Sequence, residues 1–303
     1  MKVLITGGNG FLGRYFVKHW NGKGHDVLTL GRGDNSDIRC DIKEEVPEID
    51  EDLDYVIHIA GKAHSIHKTK ADEEDFYKVN VNGTANLLKG LENKRIKGFM
   101  FISSVAVYGA KDGSDITEKN ELKATDSYGK TKIEAEKIIT EWGFEQKITV
   151  SIIRPPLIVG KNAPGNLGKM ITGIEKGRYF NIDNGKAKRS VVLAEDLAEF
   201  STELITIGGV YNLTDGFNAS FHQLSDVISK TKNKQKVKNM PLWLAKGIAK
   251  TGDFIEMILK KEAPFSTKKL KQMTTDLTFS SNKATTVGWR PKKVVTNVEF
   301  WIN

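Results

Sequence analysis

The 303-residue sequence predicts a doubly wound α/β fold with a smaller C-terminal α/β lobe. Three observations carry this. Short apolar runs alternate with helical patterns through the first half, a glycine-rich turn closes the first run, and the alternation loosens after Gly160. Strand runs with little polar alternation, separated by helices, are buried on both faces and so indicate a parallel sheet.

Lys2–Thr6 is a β-rich run that ends in Gly7-Gly8-Asn9-Gly10. Phe11–Trp20 has helical spacing, with Phe11, Leu12, Tyr15, Phe16 and His19 near one side. Further strands are expected at Asp26–Leu30, Tyr55–Ile59, Phe99–Ser103 and Thr149–Ile153, and helices at about 72–92 and 127–142. In the second half, helices are expected near 166–176, 195–206 and 220–230, and a strand at Val210–Leu213 that returns to the main sheet. Pro241–Lys260 starts with a helix-initiating proline and carries Trp243, Leu244, Ile248, Phe254, Ile255 and Ile258 as apolar positions.

Composition narrows the function classes. Hydrophobic residues make up 39% and charged residues 28%, an ordinary globular balance. No apolar run approaches the roughly 18 residues of a membrane span, and Met1-Lys2 runs into the first strand without a signal-peptide pattern. The single cysteine, Cys40, excludes an intrachain disulfide and a cysteine-based zinc site, so a reducing, cytoplasmic setting is expected. The net charge of +8 comes from 38 lysines and only 8 arginines against 38 acidic groups. Dispersed lysine gives solubility, whereas a nucleic-acid reader leans on arginine, so no nucleic-acid partner is expected.

Gly7, Gly10 and Gly13 recur at i, i+3 and i+6 between the first strand and the first helix. Gly7 permits the tight turn, Gly10 admits a pyrophosphate to the backbone, and Gly13 lets the helix pack closely on the sheet. With Phe11 and Leu12 they form the mouth of a dinucleotide site at a helix N-terminus. The second strand, Val27-Leu28-Thr29-Leu30, runs into Gly31-Arg32. An NAD site there carries an acidic residue for the ribose 2′-hydroxyl. Arg32, aided by Arg14, suits a 2′-phosphate instead, which favours NADP over NAD. Asp41 and Ile42 are candidates for the adenine edge. The chain divides into a dinucleotide-binding Rossmann domain at 1–160, which also receives about 188–215, and a mainly substrate-binding lobe at 161–303.

Tyr128 and Lys132 stand at i and i+4 on one helix face. In a lysine-rich chain that spacing alone decides nothing. Its position does, because a strand ending in Ser103-Ser104 precedes it and both should reach the carboxyl edge of the sheet. The sequence resembles the extended short-chain dehydrogenase/reductases that act on nucleotide sugars as epimerases and 4-ketoreductases. The matching pieces run in family order: 6–13, Asp41-Ile42, His58-Ile59-Ala60-Gly61, Asn80-Val81-Asn82-Gly83-Thr84, Ser103 to Gly109, Tyr128 to Lys132, Arg154-Pro155-Pro156, Arg189 to Asp196, and Gly288-Trp289-Arg290-Pro291.

The resemblance implies roles. Tyr128 would exchange a proton with the sugar C4 oxygen. Lys132 would favour the phenolate and hold the nicotinamide ribose, and Ser104 would orient the reacting oxygen. Asn80 would support the site, and Ala60 would line the cofactor. Arg189, with Asn166 in the glycine-rich loop as a second candidate, would grip the nucleotide, while Arg290 reads as structural; the alternative for Arg189 is an ion pair at the surface. Val105 and Ala106 stand where the family's dehydratases carry an Asp-Glu pair, so dehydration is not expected, and Leu157 replaces an epimerase asparagine.

The reading is an NADPH-dependent reductase of a UDP-4-keto sugar in surface-polysaccharide biosynthesis. One alternative is a UDP-glucose or UDP-N-acetylhexosamine 4-epimerase with retained NAD, and another is a non-catalytic dinucleotide sensor. A homodimer through helices 72–92 and 127–142 is implied. His58, His64 and His67 cluster without a carboxylate or thiolate at a recognisable spacing, so no metal is expected. The alternation Lys230, Lys232, Lys234, Lys236, Lys238 reads as a solvated loop or protected edge strand. The secondary reading, taken with 241–260, is peripheral contact with an anionic membrane.

Overall fold

A computed structural model describes residues 1–63, 70–259, 263 and 265–302. In chain order its elements begin β1 (Lys2–Thr6), α1 (Gly13–Gly22), β2 (Asp26–Gly31), β3 (Ile38–Arg39), β4 (Tyr55–His58), α2 (Lys70–Tyr77) and α3 (Gly83–Gly90). Then come β5 (Gly98–Ile102), β6 (Gly113–Ile116), α4 (Ser127–Gln146), β7 (Thr149–Arg154), β8 (Leu157–Val159), α5 (Gly165–Glu175) and β9 (Phe180–Ile182). The remainder is β10 (Val191–Leu193), α6 (Ala194–Ile207), β11 (Gly209–Asn212), α7 (Phe221–Thr231), β12 (Lys238–Met240), α8 (Leu242–Leu259), α9 (Thr267–Thr274), β13 (Leu277–Phe279) and α10 (Asn282–Thr285).

Seven strands form one parallel sheet in the order β11-β7-β5-β4-β1-β2-β3. The chain winds outward from β1 to β3, then returns to β4 and winds the other way, so the strand order reverses beside β1. Ligands of open α/β sheets bind at the carboxyl ends of strands at such a reversal. Two apolar layers cover the faces. Phe16, Trp20, Leu197, Leu204 and Trp289 pack on one side, and Ile49, Leu53, Leu87, Ala135 and Ile139 on the other. Two of the buried indoles are anchored by their polar edges: Trp20 Nε1 donates to Ser201 Oγ at 2.8 Å and Trp289 Nε1 to the Thr214 carbonyl at 2.8 Å.

The strand expected at Val210–Leu213 is β11, which pairs with β7 at the edge of the main sheet. Three two-stranded parallel ladders, β8–β10, β9–β12 and β6–β13, stand apart from the main sheet. Five of their six strands have no counterpart in the expectations and β12 meets the lysine alternation only at Lys238, because each spans only three or four residues. Such short pieces are specified by their partners rather than by their own pattern. The helix expected over 72–92 is also not one α-helix: Lys78–Asn82 forms a π-helical turn between α2 and α3. The wider turn carries Asn80 and Val81 into the interior.

A dinucleotide cleft lined by a Ser-Tyr-Lys constellation

At the β1–α1 turn, Gly7 adopts φ +70° and its N–H donates to the Leu30 carbonyl at 2.9 Å, which ties the loop to β2. A Cβ at Gly7 would meet the Ala60 amide nitrogen at 2.9 Å, and one at Gly13 would collide with the Gly7 carbonyl oxygen. Only glycine permits this approach of loop, helix and neighbouring strand. The loop opens into a cleft of about 880 Å³ that runs past Phe11, Leu12, Arg32, Asp41, Ile42 and Ala60 to Ser104, Tyr128 and Lys132. A glycine cradle at one end and titratable groups at the other fit a nicotinamide dinucleotide laid across the reversal point.

No carboxylate caps β2. Arg32 stands there with its side chain 74% exposed, 3.9 Å from the Asp41 carboxylate. The nearby acid, Asp37, accepts from the Thr29 amide at 2.8 Å and the Thr29 hydroxyl at 2.7 Å, and these bonds lower its pKa. Cys40 also lines the cleft, but burial pushes its thiol up to about 11, so it stays protonated.

The catalytic candidates converge from three elements. Ser104 follows β5 and caps a short 3₁₀ turn, Val105–Tyr108, by accepting from the Ala106 amide at 3.2 Å. α4 starts beside it, its N-cap Asp126 accepting from the Gly129 amide at 2.9 Å. The first turn of α4 thereby presents Tyr128 to the cleft, and the second presents Lys132. Burial raises the Tyr128 pKa, while a hydrogen bond from Ser104 opposes that shift. Burial pulls Lys132 down to about 8 against the Glu136 carboxylate, which raises it. Its ammonium donates to the Ile102 carbonyl at 2.8 Å and lies 4.5 Å from the Phe101 ring centroid.

Asn80 does not line the cleft. Its Oδ1 accepts from the Lys62 amide at 2.8 Å, and its Nδ2 donates to the Lys62 carbonyl at 3.2 Å and Thr131 Oγ1 at 3.0 Å. It thus ties the segment after β4 to α4. A Cβ at Gly61 would sit 3.1 Å from Asn80 Oδ1 and 3.3 Å from Lys132 Nζ, so glycine there lets both pass.

Sequence reasoning missed the polar chain behind this wall. Ser103 Oγ donates to Glu136 Oε1 at 2.5 Å, and Arg154 binds the same carboxylate through Nε at 2.9 Å and Nη2 at 2.5 Å. Arg154 Nη1 donates to the Tyr108 hydroxyl at 3.0 Å, which donates to Asn212 Oδ1 at 2.8 Å. The available signal was Glu136 standing four residues after Lys132, on the same helix face.

His58 belongs to the frame of the site. Thr84 Oγ1 donates to the Asn80 carbonyl at 2.7 Å, so His58 Nε2, 3.0 Å from Thr84 Oγ1, must donate to it. That leaves Nδ1 to accept from Thr6 Oγ1 at 2.7 Å. Full burial lowers the imidazole pKa to about 3, so the ring is neutral. The other two histidines of the expected cluster, His64 and His67, lie outside the described residues.

The nucleotide-gripping candidates are not brought to the cleft. Arg189 donates to the carbonyls of Lys188 at 2.7 Å, Thr275 at 2.6 Å and Gln272, and its guanidinium stacks 5.1 Å from the Phe221 ring centroid. Its donors hold the backbone between α9 and β13, and it does not line the cleft. It is not the surface ion pair considered as the alternative either. Asn166 is exposed on the first turn of α5, and Arg290 caps the carbonyls of Thr285 at 2.9 Å and Trp289 at 2.8 Å. Neither residue lines the cleft.

Residues 3–213 match the profile of the NAD-dependent epimerase/dehydratase family, and the chain belongs to that family. Among its relatives, an Escherichia coli O157:H7 N-acetyl-α-D-glucosaminyl-diphospho-undecaprenol 4-epimerase is 29% identical over 71% of this chain and 66% of its own length, just under two thirds. A Vibrio cholerae UDP-glucose 4-epimerase is 26% identical over 81% of this chain and 80% of its own. A UDP-glucose 4-epimerase structure from Thermotoga maritima, with UDP-glucose, superposes with a TM-score of 0.75 at 18% identity, covering 99% of this chain and 96% of that one. At that identity the likeness shows the fold. Among the described residues no helix is long and apolar enough to cross a membrane.

Proposed function

We propose that the protein is a nicotinamide-dependent oxidoreductase acting at C4 of a UDP-linked hexose, and that it reduces a UDP-4-keto sugar with NADPH in surface-polysaccharide biosynthesis. The observation that carries the reductase reading is the end of β2, where an exposed Arg32 stands in place of a carboxylate. A guanidinium attracts a 2′-phosphate that an aspartate would repel.

When bound, the nicotinamide supplies the hydride. The chain's own residues manage the oxygen and its proton. Burial keeps the Tyr128 phenol protonated, the form required to deliver a proton to a C4 oxygen as it gains charge. Ser104 Oγ accepts from the Ala106 amide and hydrogen-bonds Tyr128, which sets its hydroxyl beside the phenol to turn to the same oxygen. Lys132, with a pKa of about 8, is mostly ammonium at neutral pH and stabilises the phenolate left behind. Asn80 acts through the Lys62 backbone and Thr131 and is a positioning residue.

A second reading, a UDP-hexose 4-epimerase that retains its cofactor, is favoured by the relatives named as 4-epimerases. Following NADPH absorbance with a UDP-4-keto sugar separates the two. A reductase consumes one cofactor per product, whereas interconversion of UDP-sugars with no net consumption overturns the reductase reading. A non-catalytic sensor, the third reading, requires that neither occur. The faces of α2, α3 and α4 are the proposed homodimer contact, to be measured by size-exclusion with light scattering.

A further inference from the structure

α8 is packed inside out. Its buried positions are Ala245, Ala249 and Gly252, and a Cβ at Gly252 would collide with the Phe265 carbonyl oxygen, so the helix sits close on its support through its smallest residues. The large apolar side chains point the other way. Trp243 is 74% exposed, Phe254 59% and Ile258 58%, with Leu244, Ile248 and Ile255 also exposed. At 3.6 residues per turn Trp243, Phe254 and Ile258 lie opposite Ala245 and Ala249, and Leu244, Ile248 and Ile255 continue the apolar surface down one flank. Scattered exposed hydrophobics are normal in a folded protein, but a contiguous helical face of this size marks an interaction surface.

The charges beside it select the partner. Lys246 follows Trp243 by three residues and Lys250 precedes Phe254 by four, so both ammonium groups line one edge of the apolar face. Lys236 and Lys238 are exposed in the segment just ahead of α8. None of these four has an ion-pair partner among the described residues. The acids of α8 are engaged elsewhere: Asp253 accepts from the Thr267 amide at 2.9 Å and Glu256 from the Ala263 amide at 2.8 Å. A second copy of the chain would bring two lysine borders together. An anionic bilayer surface accepts the apolar face between its headgroups and neutralises the border.

We infer that α8 docks this protein on anionic lipid, with Trp243, Phe254 and Ile258 entering the interface and Lys246 and Lys250 meeting lipid phosphates. The inference is independent of the chemistry proposed for the cleft.

Flotation of the full chain with phosphatidylcholine vesicles, with and without phosphatidylglycerol, tests it. The expected result is binding to the phosphatidylglycerol-containing vesicles, weakened by salt, together with a blue shift of tryptophan emission. Trp20, Trp289 and Trp301 are fully buried and Trp142 is partly buried in the core, so Trp243, 74% exposed, is the tryptophan that vesicles reach, and Trp243→Phe should abolish the shift. Ile255→Glu/Ile258→Glu should lower partitioning about tenfold or more, and Lys246→Gln/Lys250→Gln should remove the lipid-charge dependence, both with unchanged circular dichroism. Absence of vesicle binding by the parent chain overturns the proposal, as does equal binding by the variants. So does a fall in oligomeric state caused by the apolar-face variant, which would assign this face to a second copy.

Discussion

Helices α4 and α8, of 20 and 18 residues, are the longest among the described residues, and they break the apolar-in, polar-out rule in opposite senses. α4 buries Thr131, Lys132 and Glu136 on its inner face and leaves Phe144 exposed. α8 buries alanine and glycine and exposes its largest apolar groups. A buried charge is costly unless partners surround it. On α4 those partners are the Ile102 carbonyl, Ser103 and Arg154, and the arrangement is the back wall of the cleft. Among the described residues nothing covers the exposed apolar area on α8, and that area is what the inferred lipid contact would bury. The contrast teaches that departures from amphipathic patterning locate function, and that their sign tells chemistry from docking.

The sharpest way to break this comparison is at α4. Tyr128→Phe should lower turnover by about a hundred- to ten-thousand-fold with dinucleotide binding intact, measured by steady-state kinetics beside cofactor titration; near-normal turnover would remove α4 from the chemistry. Glu136→Gln leaves Arg154 buried without its counter-charge and should cost about 3–5 kcal/mol of stability. Replacing both residues by Leu and Met should recover much of that loss in urea unfolding. A single-variant loss below about 1 kcal/mol would make the pair dispensable.

Lys132 gives a pH test. Its folded pKa of about 8 lies below the ordinary 10.5, so the unfolded chain holds the proton over a range where the folded chain has released it. Stability from this group therefore rises as pH climbs from about 8 to about 10.5, and the parent chain should gain on Lys132→Met over that window. Thermal melts on either side of pH 8 read the gap, and a constant gap contradicts the burial argument. Arg32→Ala should weaken NADPH binding by about ten- to a hundredfold and leave NADH unchanged. Equal effects on both would end the preference for NADP. The smallest effect belongs to α8: without lipid, Met257→Glu should shift stability by less than about 0.5 kcal/mol, because its side chain is 68% exposed.

The local sequence carried much of the nucleotide half. Lys2–Thr6, Asp26–Leu30 and the glycine turn were legible because buried parallel strands and a Gly-x-x-Gly-x-x-Gly loop impose their requirements within a few residues. Tyr128 and Lys132 were legible as a pair, since one helical turn is a local property. Glu136 and Arg154 were not read as partners, because their contact spans 18 residues and joins a helix to a strand. The contacts of Arg189 were not legible for the same reason: besides the adjacent Lys188 carbonyl, its acceptors are carbonyls 83 and 86 residues away.

From the sequence by itself came the fold class, the dinucleotide loop, the phenol–ammonium pair and the apolar positions of α8, all set by short-range periodicity and backbone sterics. Only the tertiary structure decided which charges are buried and paired, which arginine faces the cleft, and which side of α8 meets water. Those outcomes depend on what packs against each side chain, and burial is a property of the assembled chain rather than of any one segment.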